Sequence, residues 1–198
     1  TVLFSIEPSW DYGVVLRSSL ELARDGSLTD TAYFSRYPFQ VYPLLYMTFF
    51  MKLIHARTMA AACGVSYVLN IIHILVALYG AFFVGKLLHG KRFGLKILLF
   101  CMCSAPLFLY ASICYTDTLA LPFPVWTLAL WLYARKMPAL TKQQKWKKTA
   151  LYVGSGMMAG FGLRIKSIAA IGLIALMIFL LFDRTEQISE RKEGKNTP

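Results

Sequence analysis

Long apolar stretches alternate with short charged ones along most of the chain. Each apolar stretch is long enough to be helical, and several approach the ~20 residues that a helix needs to cross a lipid bilayer. The pattern predicts an all-α protein, a polytopic bundle of transmembrane helices. The apolar stretches are residues 39–54, 59–85, 97–114, 119–134, 151–163 and 168–182.

The same pattern divides the chain into three parts. Residues 1–38 are predicted to form a first extracytoplasmic loop with a short juxtamembrane helix, residues 39–182 the transmembrane region, and residues 183–198 a charged cytoplasmic tail. The chain opens on an apolar segment without an initiator Met. We therefore expect a truncated helix before the first loop and an incomplete chain, the N-terminal fragment of a longer protein.

Composition agrees with a membrane protein. Hydrophobic residues make up 57% of the chain and charged residues only 16%, against roughly 25% charged residues in ordinary soluble domains. The net charge is +11, but the Lys and Arg residues are spread over short segments between apolar stretches instead of forming one basic face. We therefore expect membrane lipids as partners and no nucleic acid.

Two basic segments, residues 86–96 and 135–148, set the predicted topology. The second holds six basic residues and no acid, and cytoplasmic loops collect Lys and Arg. Both segments are therefore expected inside, with the connection at 115–117 and the turn at 164–166 outside. With residues 7–38 outside and residues 86–96 inside, the chain between them must cross the membrane an odd number of times, but it holds two apolar stretches. The stretch 39–54 is the shorter one, and it is either a full crossing or a re-entrant or interfacial segment.

Charged residues on the outer side are candidates for chemistry. Ser9 is the expected N-cap of an amphipathic helix that ends near Arg24, which puts Asp11 in the first turn, where the helix dipole favours a carboxylate. Arg36 stands near the headgroups, and a guanidinium makes paired hydrogen bonds to phosphate. Each has a plainer alternative: Asp11 as a solvated acid, and Arg36 as a partner of lipid phosphate or of a salt bridge.

Three more charges stand at or near membrane depth, where charged residues are costly and usually functional or paired. Asp117 separates two apolar stretches, and Arg164 with Lys166 interrupts another. The predicted topology opens both sites to the same face. Asp117 could therefore pair with Lys166 or Arg164 and hold it toward a phosphate, and the alternative is an ion pair with a purely structural role.

The order of these pieces resembles the C-type membrane glycosyltransferases that use polyprenyl-phosphate sugars, especially the protein O-mannosyltransferases and lipid A aminoarabinose transferases. This sequence departs from that family because no second acid stands beside Asp11, Ser167 replaces the usual Gly, and Arg164 is an additional charge. The matching pieces are Trp10-Asp11-Tyr12, the entry from Tyr37-Pro38 to Tyr42-Pro43, the basic segment from Lys86 to Phe93, Tyr115-Thr116-Asp117 and the segment from Gly160 to Ser167.

The resemblance implies transfer of a sugar from a polyprenyl-phosphate donor to an acceptor hydroxyl on a lipid, a protein or a cell-wall polymer. The reaction would take place outside a bacterial plasma membrane, with inversion at the anomeric carbon. No cofactor is required, because basic side chains can stabilise the phosphate leaving group, although a divalent cation is compatible with the scheme. Asp11 would be the catalytic base with Asp117 and Lys166 in support, and Arg36, Tyr37, Tyr115 and Arg164 would bind substrate.

A non-enzymatic transporter or lipid flippase component is the alternative. In that case Asp117, Arg164, Asn70 and His73 would line a pathway between helices. The first loop favours the enzyme, because a transporter has little use for an amphipathic Trp-Asp-Tyr helix at that position.

Overall fold

The computed structural model describes residues 9–110, 116–178 and 180, and these residues form helices with short connections and no strand. The predicted all-α class is confirmed for this part of the chain. Two 3₁₀ turns, Pro38–Gln40 and Ser167–Ala169, and a helical segment at 170–178 complete the described elements. The helices are α1 (Trp10–Arg24), α2 (Thr31–Arg36), α3 (Val41–Leu53), α4 (Met59–His89), α5 (Lys91–Met102), α6 (Ala105–Leu109), α7 (Thr116–Ala120), α8 (Pro122–Lys136) and α9 (Lys142–Ile165).

Helix α4 is the longest and central element. Its 31 residues measure about 46 Å at 1.5 Å per residue. Among the described residues, α4 is the one helix long and apolar enough to cross a membrane. The Thr58 side chain caps its start by accepting a hydrogen bond from the Ala61 N–H, and Gly90 ends it with a φ of 87°, which glycine adopts without a steric penalty.

Helices α5 and α8 pack against the C-terminal half of α4, and α9 packs against α8. Helices α4 and α8 run parallel, because Trp126 Nε1 donates to the Val76 carbonyl and Lys136 Nζ, further along, donates to the Leu87 carbonyl. Helix α5 returns along α4 at close range, and a Cβ on Gly94 would lie 2.6 Å from the Phe82 carbonyl oxygen.

Helix α1 packs against α3 and the N-terminal half of α4. The Ser19 hydroxyl donates to the Leu44 carbonyl at 3.2 Å, and the Tyr12 and Ser66 hydroxyls lie 2.5 Å apart. The described part of the predicted first loop is therefore mostly helical, and α1 belongs to the same core as the apolar helices. That core comprises Leu16, Leu20, Met47, Met51, Ala56, Ala62, Val65, Leu69, Leu119, Ala120 and Ile165.

The basic segment 86–96 is not a loop. Lys86 lies in the last turn of α4 and Lys91 opens α5, so Gly90 alone connects the two helices. The positive φ of this glycine reverses the chain in one residue, which the sequence pattern did not reveal.

The basic segment 135–148 is also mostly helical, and the connection narrows to residues 137–141. Thr141 and Gln144 form a capping box that starts α9 at Lys142. The Thr-x-x-Gln spacing is a known signal for the start of a helix. The two basic segments lie at the same end of the bundle, as the topology predicts, because Lys136 reaches Leu87.

The apolar stretch 97–114 is not one helix. Helix α5 ends at Met102, a break follows, and α6 begins at Ala105. Pro106 accounts for the break, because its ring would clash with the carbonyl four residues earlier, that of Met102. A turn at Leu121 likewise separates α7 from α8, which begins at Pro122.

Candidate functional site

The predicted pairing of Asp117 is present, and its partner is Lys166. Asp117 lies in the first turn of α7, and Lys166 directly follows α9 with extended backbone angles of φ −156° and ψ 133°. Lys166 Nζ donates to Asp117 Oδ2. The Lys166 and Asp117 side chains are 29% and 43% exposed, so the pair borders the surface and is not sealed in the core.

Arg164 makes a different contact, although the sequence left it equal to Lys166 as a partner of Asp117. Its Nη1 donates to the Tyr42 hydroxyl at 2.8 Å, and its guanidinium carbon lies 5.2 Å from the centre of the same ring. The contact ties the end of α9 to the start of α3. An exposed cation therefore stands on the same end of the bundle as the ion pair.

Asp11 lies in the first turn of α1, as predicted, but its support is not the expected cap. Ser9 occupies the N-cap position without a side-chain hydrogen bond to the helix. The Tyr33 hydroxyl donates to Asp11 Oδ1 at 2.8 Å. Sequence reasoning missed Tyr33, since the two residues are 22 positions apart and no local spacing joins them.

An aromatic cluster surrounds Tyr33. Its ring centre lies 5.0 Å from that of Tyr37 and 5.1 Å from that of Phe34. The Arg36 guanidinium carbon lies 5.8 Å from the Tyr37 ring centre. Arg36 and Tyr37, both predicted to bind substrate, are exposed. The Tyr37 ring contacts Tyr33, which in turn donates its hydrogen bond to Asp11.

A small cavity joins Asp11 to helix α7. Its volume is about 10 Å³, room for about one water-sized atom. Asp11, Gln40 and Thr116 are among its lining residues. Gln40 is 3% exposed, and its Oε1 has no hydrogen-bond partner among the described residues. Because Thr116 precedes Asp117, the cavity places the two predicted carboxylates on neighbouring elements.

A larger groove starts at Asp117. Its volume is about 500 Å³, and its other lining residues are apolar or small. The groove runs between α4, α5, α8 and the segment after Lys166, with Ala81, Ile97, Pro124 and Ala175 on its walls. Asp117 is the one charged residue in this lining, and it is paired with Lys166.

Asn70 and His73 are engaged within the bundle. Asn70 Nδ2 donates to the Tyr110 carbonyl at 2.8 Å. His73 Nε2 lies 3.1 Å from the Tyr46 hydroxyl, and its Nδ1 lies 2.7 Å from the Leu69 carbonyl oxygen. Both side chains hold helices together in the described part of the chain.

Two further predictions concern residues or ligands at the site. Tyr115, predicted to bind substrate, lies outside the described residues. Among the residues that the structure describes, no group of three or more His, Cys, Asp or Glu side chains is placed to hold a metal ion.

Comparison with known proteins identifies a family. A family described as "conserved hypothetical integral membrane protein" matches residues 4–196. The match covers most of the chain, so the protein belongs to this family and is an integral membrane protein. No match was found among curated proteins or solved structures.

Proposed function

We propose that this integral membrane protein transfers a sugar from a polyprenyl-phosphate donor to an acceptor hydroxyl. The observation that carries the proposal is the joint placement of three features at one end of the bundle. These are the carboxylate of Asp11, the ion pair of Asp117 with Lys166, and the apolar groove that starts at Asp117. A lipid-linked sugar needs all three, because its tail is apolar, its leaving group anionic and its acceptor weakly acidic.

The leaving group is the lipid phosphate. The isoprenoid chain occupies the apolar groove, and the phosphate at its end meets Lys166, which Asp117 holds in place. Arg164 and Arg36 stand at the same end and supply further positive charge. Fixed cations stabilise the charge that develops on the phosphate oxygen as the glycosidic bond breaks.

The acceptor hydroxyl is deprotonated by Asp11. As the acceptor oxygen bonds to the anomeric carbon, the carbon–oxygen bond to phosphate breaks, its electron pair goes to the phosphate, and the acceptor proton goes to Asp11. Tyr33 holds the carboxylate in position through its hydroxyl. One base opposite the leaving group implies inversion at the anomeric carbon, and no metal ion is needed, although a divalent cation is compatible with the scheme.

The proposal includes a multi-pass topology in a bacterial plasma membrane with the site outside. Helices α7 and α8, which the turn at Leu121 separates, together cover residues 116 to 136, at most about 31 Å at 1.5 Å per residue. That length matches the ~30 Å hydrocarbon core, and α4 and α9 accompany them. Helix α3 lies against α1 instead of standing alone, which favours an interfacial position for it.

The alternative, a transporter or lipid flippase component, requires Asn70, His73, Asp117 and Arg164 along one pathway. Asn70 and His73 contact backbone carbonyls and Tyr46, and Arg164 turns to Tyr42. This arrangement favours the enzyme. A lipid, a protein or a cell-wall polymer can present the acceptor hydroxyl.

The test is sugar transfer in membranes that carry the full-length parent protein, with radiolabelled polyprenyl-phosphate sugars as donors. Asp11→Asn should abolish transfer at equal membrane insertion. The matched control is Asp30→Asn, which removes an exposed carboxylate that makes no cap hydrogen bond at the start of α2. Equal transfer by the Asp11→Asn protein would overturn the assignment of the base. Lipid translocation without transfer from any donor would favour the flippase.

A further inference from the structure

One end of the helical bundle concentrates positive charge. The α4–α5 turn meets the α8–α9 connection there, because Lys136 reaches the Leu87 carbonyl. Eight of the ten Lys and Arg residues in these segments are exposed. The ten residues, here called the basic platform, are Lys86, Lys91, Arg92, Lys96, Arg135, Lys136, Lys142, Lys145, Lys147 and Lys148.

The chain offers this charge little compensation. Between residues 31 and 182 the only acid is Asp117, which stands at the opposite end of α8 and is paired with Lys166. The tail from 183 to 198 holds four acids and four Lys or Arg residues, so its net charge is zero. The sequence therefore leaves the platform with an excess of positive charge.

Part of the platform is held in place. Lys148 Nζ donates to the Met137 carbonyl at 3.4 Å, and the Arg135 guanidinium carbon lies 5.5 Å from the centre of the Trp131 ring. The capping box at Thr141 fixes the start of α9, so Lys142 and Lys145 rise from a defined helical turn. Cations that are positioned in advance lose less entropy when they bind an anion.

Exposed apolar side chains stand among these cations. Trp146 is 73% exposed and Leu140 is 87% exposed, and both belong to the α8–α9 corner. Tryptophan is enriched at the headgroup level of membranes, where its ring is apolar and its N–H is hydrated. Cations mixed with such anchors fit a headgroup layer, whereas a soluble anion has no use for the exposed apolar groups.

We propose that the basic platform binds the headgroups of anionic phospholipids. Phosphate oxygens accept hydrogen bonds from its Lys and Arg side chains, while Trp146 and Leu140 enter the boundary between headgroups and acyl chains. This inference does not depend on the proposed transferase activity, because the platform and the candidate site lie at opposite ends of α8.

The test uses the purified full chain in neutral detergent, where the direction of membrane insertion has no influence. Binding of phosphatidylglycerol and of phosphatidylcholine is counted by native mass spectrometry. Lys142, Lys145 and Lys147, all exposed, are changed together to Gln. Each cation near an anionic surface changes affinity about fivefold, so the triple variant should bind phosphatidylglycerol about 100-fold more weakly.

The matched control changes Arg17, Lys52 and Arg57 to Gln, which removes three exposed cations away from the platform. The control should retain phosphatidylglycerol binding. Equal loss in both variants, or equal binding of the two lipids by the native chain, would overturn the proposal.

Salt and free phosphate give a second measurement on the native chain, which serves if the triple variant does not fold. Rising salt should release phosphatidylglycerol in proportion to the ionic contacts, and millimolar inorganic phosphate should not, because it lacks acyl chains. Displacement by inorganic phosphate at constant ionic strength would identify a soluble-anion site instead. Release of phosphatidylglycerol by nucleic acid or by an acidic protein would likewise contradict a lipid surface.

Discussion

Lys166 Nζ contacts Asp117 Oδ2 across 49 positions of sequence, and this ion pair joins the end of α9 to the start of α7. The same Asp117 lines the apolar groove, and its neighbour Thr116 lines the small cavity with Asp11. Neighbouring residues of α7 thus border both the small cavity beside Asp11 and the groove in which the donor lipid is proposed to lie.

The ion pair should show energetic coupling. The loss of unfolding free energy in the double variant Asp117→Ala/Lys166→Ala should differ from the sum of the losses in the two single variants. The expected difference is about 0.5 to 1 kcal/mol, the upper range for exposed pairs. Arg164→Ala is the comparison, since Arg164 bonds Tyr42, and it should add to Asp117→Ala without coupling. Denaturant unfolding in detergent measures both cycles. Coupling of Asp117 to Arg164 and not to Lys166 would contradict the observed pair.

Removing the Tyr33 hydroxyl should impair catalysis more than stability. Tyr33→Phe keeps the aromatic cluster but loses the bond to Asp11, and a hydrogen bond to a charged group contributes about 1.5 to 3 kcal/mol. The turnover number should therefore fall about tenfold or more at unchanged donor KM. Tyr152→Phe, on the exposed side of α9, should leave both constants unchanged. A change confined to KM would place Tyr33 in substrate binding instead.

Filling the groove should select against long donors. Ala175 is exposed on its wall, and Ala175→Phe adds a ring where the isoprenoid chain is proposed to lie. KM for a full-length polyprenyl donor should rise about tenfold, the effect of roughly 1.4 kcal/mol of lost contact, while a donor with a two-isoprene tail should be unaffected. Ala60→Phe, at the exposed start of α4, controls for an added ring. Equal KM changes for both donors would place the lipid elsewhere.

Two glycines should respond in opposite directions to the same substitution. Gly94→Ala puts a methyl group 2.6 Å from the Phe82 carbonyl oxygen, so α4 and α5 must move apart. The free energy of unfolding should fall by about 1 to 3 kcal/mol. Gly156→Ala meets no atom within 4 Å and should stabilise α9 by about 0.5 to 1 kcal/mol. Thermal unfolding in detergent measures both. Equal stability of the native and Gly94→Ala proteins would rule out the close α4–α5 contact.

The helical class and part of the site could be predicted because local patterns carry them. Helix α1 follows from apolar positions such as Leu16 and Leu20, which are buried as its periodicity requires. The pairing of Asp117 with a cation followed from the cost of a lone charge near membrane depth. The chemical roles of these residues and the predicted boundaries at 38 and 182 stay predictions.

Other features depend on geometry that the sequence does not express. The choice between Arg164 and Lys166 depends on where α9 ends, since Lys166 leaves the helix in an extended conformation and Arg164 stays in its last turn. Tyr33 reaches the Asp11 carboxylate because α2 folds back on α1, where Phe34 packs with Val15. Gln40, in the 3₁₀ turn that follows, lines the cavity beside Asp11. The expectation of loops at 86–96 and 135–148 was wrong. Gly90 alone connects α4 to α5, and the capping box at Thr141 starts α9 within the second segment.

The one-residue connection at Gly90 has a consequence for the order of events during synthesis. Contacts between α4 and α5 join neighbours in sequence, and such local contacts form quickly. This hairpin can therefore assemble while the ribosome is still adding α7 to α9. The bond from Arg164 to Tyr42 spans 122 positions and must wait for the end of α9. Helices α4 and α5 can thus pack early, whereas the contacts of Arg164 with Tyr42 and of Lys166 with Asp117 form only after α9 is complete.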